Sequence, residues 1–164
     1  MVKWIRMQIR NGEFSAMISL QTGDLLKGSI HELLIPSERV AHVQIGNSLE
    51  HALLVLTKSG YTAIPVLDPK YKLHGLISTP LIMDAIMGIE RIEFEKLEQI
   101  KVEEVFDQST PVLKLNDSFS KGLKLLIDHP FLCVENEQGT FEGILTRRAM
   151  LKKLNSYLQQ INHQ

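Results

Sequence analysis

Apolar and polar positions run along this chain with two periods, and the same succession of periods occurs twice. In NSLEHALLVL (47–56), Leu49, Ala52, Leu53 and Leu56 have the i, i+3, i+4, i+7 spacing of one helix face. In DSFSKGLKLL (117–126), Phe119, Gly122, Leu123 and Leu126 take the same places 70 residues on. Each helix has a start signal. Asn47 stands three residues before Glu50, the spacing of a capping box. Asp117 is placed to accept backbone N–H bonds at its own helix start. Short alternating pieces, VQI (43–45) and VLKL (112–115), precede the helices. Behind them come two buried-looking strands, TAIPVL (62–67) after Gly60 and FLCVEN (131–136) after Pro130. The turns DPKY (68–71) and ENEQG (135–139) lead to second strands, KLHGLIS (72–78) and TFEGILT (140–146). These match at an offset of 68, Gly75 against Gly143, so the second repeat lacks two residues around the intervening turn. PLIMDAIM (80–87) and RRAMLKKLNSYLQQI (147–161) read as closing helices.

The order β-α-β-β-α therefore occurs twice, giving an α/β (α+β) fold. A small sheet with two helices cannot bury both its faces, so two such units are expected to pack sheet to sheet around one core. Between them, GIERIEFEKLEQIKVEEV (88–105) is charged and helical in pattern, with Ile89, Ile92, Leu97 and Ile100 as anchors. It reads as an ordered connector with a solvated Glu and Lys face. The expected division is a leader or extension at 1–16, an N-terminal segment with the first repeat at 17–90, a helical connector at 91–104, and the second repeat with a C-terminal helix at 105–164. MISLQTGDLL, from Met17, makes a natural start. The alternative is a native N-terminal element packed through Trp4, Ile5 and Ile9.

Composition removes several function classes. With 164 residues, 44% hydrophobic and 23% charged, the chain is long and apolar enough to bury a core. A net charge of −1 shows no basic excess, which argues against nucleic acid as a partner. The single cysteine, Cys133, permits neither an intrachain disulfide nor a thiolate metal cluster, and reads as a small buried hydrophobe. No apolar run approaches a membrane span, and no secretory signal is present, so a cytoplasmic protein is expected. His42, His51, His74 and His129 share no ligand spacing. Asp84 and Glu90 read as solvated charges, and Met83, Met87 and Met150 as gap-fillers. The Leu151, Leu154, Leu158 and Ile161 face of the last helix fits internal packing or a dimer seam. No GxSxG, P-loop, HExxH or Cys pair marks an enzyme.

The repeated order, with GYTAIPVLD…KLHGLIS and FLCVEN…TFEGILT, resembles the CBS domain, whose tandem pairs are called Bateman modules. The resemblance covers roughly residues 30–155. RVAHVQIGNSLEHALLVLTKSGYTAIPVLDP, GIERIEFEKLEQI and FEGILTRR are similar, more narrowly, to the stand-alone CBS proteins of Gram-positive bacteria known as CbpB or DarB. That resemblance begins at Met17. It implies no cofactor, cyclic di-AMP as ligand, a homodimer, and control of the bifunctional (p)ppGpp synthetase of the stringent response.

A cleft between the repeats that takes an adenine nucleotide needs a positive end, apolar walls and backbone groups. Thr146-Arg147-Arg148 stands where a strand ends and a helix begins. A helix N-terminus favours phosphate, and two guanidinium forks add to it. Cations at a helix start are otherwise unfavourable, although one of the two arginines can serve by packing or pairing alone. Tyr61 offers a ring to a base or ribose, Thr62 a hydroxyl, and Ala63 room. The narrower resemblance adds Arg39, Ala41 and Val43, with Ala41 small enough for a ring to approach the backbone. Taken singly, Ala41, Val43 and Ala63 fit plain core packing at least as well, and Tyr61 fits a half-buried strand position. Many nucleotide-binding CBS repeats carry a ribose-binding Asp three residues after the Ser/Thr of the second strand. Here those positions hold Leu81 and Ala149. This disfavours AMP, ATP and S-adenosylmethionine, and suits a 3′,5′-cyclic dinucleotide whose 3′-oxygens are esterified. The alternatives are an AMP/ATP-binding energy sensor and a ligand-free dimerisation module.

Overall fold

The computed structural model describes residues 29–162, with side chains through residue 160. Residues 1–16, with Trp4, Ile5 and Ile9, lie outside the described residues, as does the side chain of Ile161. The first repeat comprises β2 (Val43–Gln44), α1 (Leu49–Ser59), β3 (Ala63–Leu67), β4 (Leu73–Ser78) and α2 (Thr79–Ile86). β1 (Ile35–Pro36) precedes it, flanked by 3-10 turns at Ile30–Leu33 and Ser37–Arg39. After the single turn α3 (Lys96–Gln99) come β5 (Val112–Lys114), α4 (Phe119–Leu125), β6 (Phe131–Glu135), β7 (Phe141–Thr146) and α5 (Arg147–Asn162). Each repeat has a parallel pair joined through a helix, β2 with β3 and β5 with β6, and an antiparallel hairpin, β3 with β4 and β6 with β7.

The helices bury the stripes that the sequence marked. Leu49, Ala52 and Leu56 join Ile64 and Ile77 in the first repeat's core. Phe119 and Leu126 join Leu113, Leu132 and Leu145 in the second. A third cluster holds Val40 and Leu67 against Cys133, Phe141 and Ile144, so the two sheets pack on one another as expected. Burial pushes the Cys133 thiol up to about 12, which keeps it protonated at neutral pH.

Each repeat lends a piece of backbone to the other's sheet. β1 pairs antiparallel with β7, Pro36 opposite Gly143. Reciprocally, Leu76 of β4 exchanges two hydrogen bonds with Asp107, of 2.9 and 2.8 Å. This explains the matched glycines. A Cβ on Gly143 would lie 2.1 Å from the Ile35 carbonyl oxygen, and one on Gly75 would lie 2.2 Å from that of Asp107. Only a residue without a side chain lets the lent strand approach.

Three local expectations are corrected. Ser48, not Asn47, caps α1, its Oγ accepting from His51 N at 3.2 Å. Ser118, not Asp117, caps α4 in the same way through Lys121 N. Asn47 and Asp117 instead accept from the N–H groups of Gln44 and Lys114, both at 2.8 Å, and close the turn out of the preceding strand. Such a contact three residues back is one of the local side-chain-to-backbone patterns open to Asn and Asp. The two missing residues fall between α4 and β6, because the hairpins keep equal register, Ala63 opposite Ser78 and Phe131 opposite Thr146. In the connector, helical content is confined to α3 and a 3-10 turn at Val102–Glu104. Ile92, Leu97 and Ile100 pack on the first core, whereas Ile89 is fully exposed. It sits in a tight turn closed by Gly88 N donating to Arg91 O at 2.9 Å.

Candidate functional site

A cavity of about 250 Å³ opens between the repeats. From the first repeat, Val40 and Ala41 form one wall, and Gly60 through Ala63 another. Pro130 and Phe131 close it from the second repeat, with Pro65 and Ile144 as the apolar floor. Thr146 completes the lining. The local folding is simple. The start of β3 and the end of β7 meet at the cavity, and the 3-10 turn at Ser37–Arg39 delivers Val40 and Ala41 to the same edge. His42 fixes that wall, its Nδ1 lying 3.0 Å from the Val40 carbonyl and its ring edge-on to Tyr71 at 5.5 Å.

The polar end is the start of α5. Thr146 Oγ1 accepts from Ala149 N at 3.1 Å, and Arg147 N donates to the Pro130 carbonyl at 2.9 Å. Of the three first-turn amides, Arg148 N–H is left without a hydrogen bond to the rest of the described chain. The Arg148 side chain is exposed and makes no ion pair with a described residue. A sixteen-residue helix with an open amide and a guanidinium at its N-terminus carries the charge and the donors that favour an anion.

The nine residues singled out by sequence thus divide. Ala41, Tyr61, Thr62, Ala63 and Thr146 come together on the cavity. Arg39 is exposed and adjoins Val40 in the chain without lining the cavity, and Arg148 follows Thr146 by two residues. Val43 is buried in the first repeat's core. Arg147 turns away. Its Nε donates to Leu126 O at 2.7 Å and its Nη2 to Ile127 O at 3.3 Å, which caps the C-terminal end of α4. Sequence reading missed Val40, Pro65, Pro130, Phe131 and Ile144. The 68-residue offset carried a signal for Phe131, which is the repeat mate of Ala63.

That offset also exposes an asymmetry. The mates of Val40, Pro65 and Ile144 are Thr110, Cys133 and Leu76, and they line a cavity of only about 60 Å³. By sequence offset, Phe131 corresponds to Ala63, Pro111 to Ala41 and Pro80 to Arg148. The larger cavity opens beside Thr146 at the start of α5, and the smaller one is bordered by Glu135. Among the described residues, no three His, Cys, Asp or Glu side chains gather to hold a metal, and no helix is long and apolar enough to cross a membrane.

Known proteins share this architecture. The CBS domain family model matches residues 30–88. Cyclic di-AMP receptor B of Bacillus subtilis (strain 168) is 58% identical over 146 residues, covering 89% of this chain and 99% of that protein. A CBS domain-containing protein of unknown function from Bacillus anthracis superposes with a TM-score of 0.77 at 66% identity, over 82% of this chain and 98% of that one. The Listeria monocytogenes CbpB protein in complex with c-di-AMP superposes with a TM-score of 0.75 at 54% identity, over 80% of this chain and 98% of that one.

Proposed function

Because the chain belongs to the CBS-domain family, we propose that it is a non-enzymatic cytoplasmic receptor for cyclic di-AMP. The observation that carries this reading is the cavity itself, an apolar slot between repeats that ends on the capped start of α5. A base enters between Ala41, Ala63 and Phe131, where small residues expose backbone groups to its edge. Tyr61 and Thr62 border the ribose. Arg148 and its free amide hold a phosphate, and Arg39 meets the outer part of the dinucleotide. Leu81 and Ala149 offer no carboxylate for a ribose diol, which favours the cyclic dinucleotide over AMP or ATP. The B. subtilis and Listeria relatives, one named as a receptor and one seen with the ligand, support the same choice.

A receptor acts by a difference in affinity between two states or by competition for one surface. In this reading the protein is a homodimer, and cyclic di-AMP in the cleft decides whether the (p)ppGpp synthetase docks. The direct test is thermal unfolding with and without the nucleotide. A ligand at a hundredfold excess over its Kd stabilises the native state by roughly 2.7 kcal/mol, so the melting temperature rises by several degrees. An unmoved transition at millimolar cyclic di-AMP contradicts the receptor assignment. Co-purification of the synthetase with ligand-free protein, lost on adding cyclic di-AMP, is the outcome expected for the partner. Equal capture in both conditions removes the switch.

A further inference from the structure

The duplication supplies an internal comparison at the hairpin turns. In the second repeat, the Asn136 side chain accepts from the N–H groups of Gln138 and Thr140, both at 3.0 Å. Gly139 N donates back to Asn136 O at 3.0 Å. In the first, the Asp68 carboxylate accepts from Lys70 N at 2.8 Å and Lys72 N at 2.9 Å, and Tyr71 N donates back to Asp68 O at 2.9 Å. Each residue matches its mate at the 68-residue offset, so one turn is built twice. It needs a left-handed backbone at its last position, which glycine adopts without strain. The second repeat has Gly139 there, at φ +76°. The first has Tyr71, at φ +60°, the one non-glycine residue at positive φ among the described residues.

Burial does not account for a tyrosine at that place, since Tyr71 is 42% exposed. Its contact does. The ring lies edge-on to His42 at 5.5 Å, and His42 Nδ1 lies 3.0 Å from the Val40 carbonyl. A carbonyl oxygen only accepts, so Nδ1 carries the hydrogen and donates it. The imidazole is thus held by Val40 on one edge and by Tyr71 on the other, and Val40 and Ala41 are a wall of the larger cavity. The turn that carries the ring is tied to the second repeat. The Tyr71 carbonyl accepts from Phe141 N at 2.8 Å, and Lys72 Nζ donates to Gln138 O at 3.0 Å. Repeat 2 lacks both members of the pair. Val112 corresponds to His42 and Gly139 to Tyr71, and the Thr110–Val112 segment borders the cavity of only about 60 Å³.

We propose that Tyr71 is a positioning residue for the nucleotide, acting through His42 to hold the Val40–Ala41 wall at the spacing a base requires. Backbone strain persists where the surroundings enforce it, and ligand clamps are such places. The proposal rests on the cyclic di-AMP reading above and adds a determinant of affinity that lies outside the cavity.

Calorimetry with cyclic di-AMP and thermal unfolding of the full chain test this. Tyr71→Gly removes the ring and the backbone strain together. Its melting temperature should stay within a few degrees of wild type, while affinity falls about three- to tenfold, the worth of one aromatic contact. Tyr71→Phe keeps the ring and should bind within about twofold of wild type. His42→Ala should weaken binding, and adding Tyr71→Gly to it should cost no more, because both act along one path. Wild-type affinity in Tyr71→Gly, or losses that multiply in the double variant, overturns the proposal. If the glycine variant is unstable, Tyr71→Asn, which also tolerates the left-handed backbone, takes its place. The amide NMR signals of Val40 and Ala41 in the ligand-free chain give a readout without nucleotide. They should move in Tyr71→Gly and hold in Tyr71→Phe, and unmoved signals in the glycine variant overturn the relay. A wild type that binds no cyclic di-AMP overturns the receptor reading, and the nucleotide role of Tyr71 with it, while those signals still decide whether Tyr71 sets the wall.

Discussion

Arg147 and Arg148 are neighbours in sequence and do different work. Arg147 reaches back to the carbonyl oxygens that α4 leaves open at its end. Arg148 leaves its guanidinium without an ion pair and its amide without a hydrogen bond among the described residues, which in the proposed function serve an anion. Sequence placed both at a helix start, where repulsion from the helix dipole demands an explanation. It had no means of seeing that the end of α4 lies within reach of only one of them. Replacement separates the roles. Arg148→Met should weaken cyclic di-AMP binding by about 10- to 100-fold, as befits hydrogen bonds to a charged group, with the melting temperature unchanged. Arg147→Met should cost about 1–2 kcal/mol of stability and shift affinity far less. Calorimetry and urea unfolding on the two variants check this, and the reverse pattern would exchange the assignments. On the opposite wall, Ala41→Leu places a branched side chain inside the cavity that Ala41 lines. Its affinity should fall below detection in the same titration, and normal binding would move the base elsewhere.

Among the elements, both hairpins and all four long helices were legible, because burial on one face imposes the period of 3.6 or 2 that the residues show. The failures lie where two short polar residues stand together. Asn47-Ser48 and Asp117-Ser118 each offer two candidate caps, and only the backbone decides which side chain faces forward. Ser48 and Ser118 sit in extended conformation just before the helical run, with ψ of 160° and 150°. Ser118→Ala should therefore cost about 1 kcal/mol, read as a lowered urea midpoint, and Ser48→Ala the same. An alanine at position 118 without effect would return the cap to Asp117. The Asp117 carboxyl, although burial pushes it up, is held below its usual range by Lys121 and the Lys114 N–H. That is the signature of a turn-closing carboxylate already engaged. The connector misled in another way. Its Glu- and Lys-rich sequence has helical spacing, yet only Lys96–Gln99 form a turn, since Ile92, Leu97 and Ile100 are drawn individually onto the first core.

Seen as a whole molecule, the fold is two repeats that cannot be pulled apart cleanly, because β1 completes the second sheet and Asp107 pairs with the first. The matched glycines Gly75 and Gly143 were visible in the sequence. Their cause was not, since it involves a strand lent from the other repeat. The same duplication sets up two clefts and then treats them differently. Ala41 and Ala63 line the larger one, whereas Thr110, Cys133 and Glu135 line the other, of only about 60 Å³. Under the proposed function, one open cleft predicts one nucleotide per chain, with its phosphate end towards Thr146 and Arg148.

A calorimetric titration of the full chain with cyclic di-AMP, beside AMP, ATP and cyclic di-GMP, tests the central claim most directly. The expected result is saturation at one cyclic di-AMP per chain, with the other three nucleotides at least tenfold weaker. Binding of AMP or ATP in preference to cyclic di-AMP, or no binding of any of the four, would contradict it.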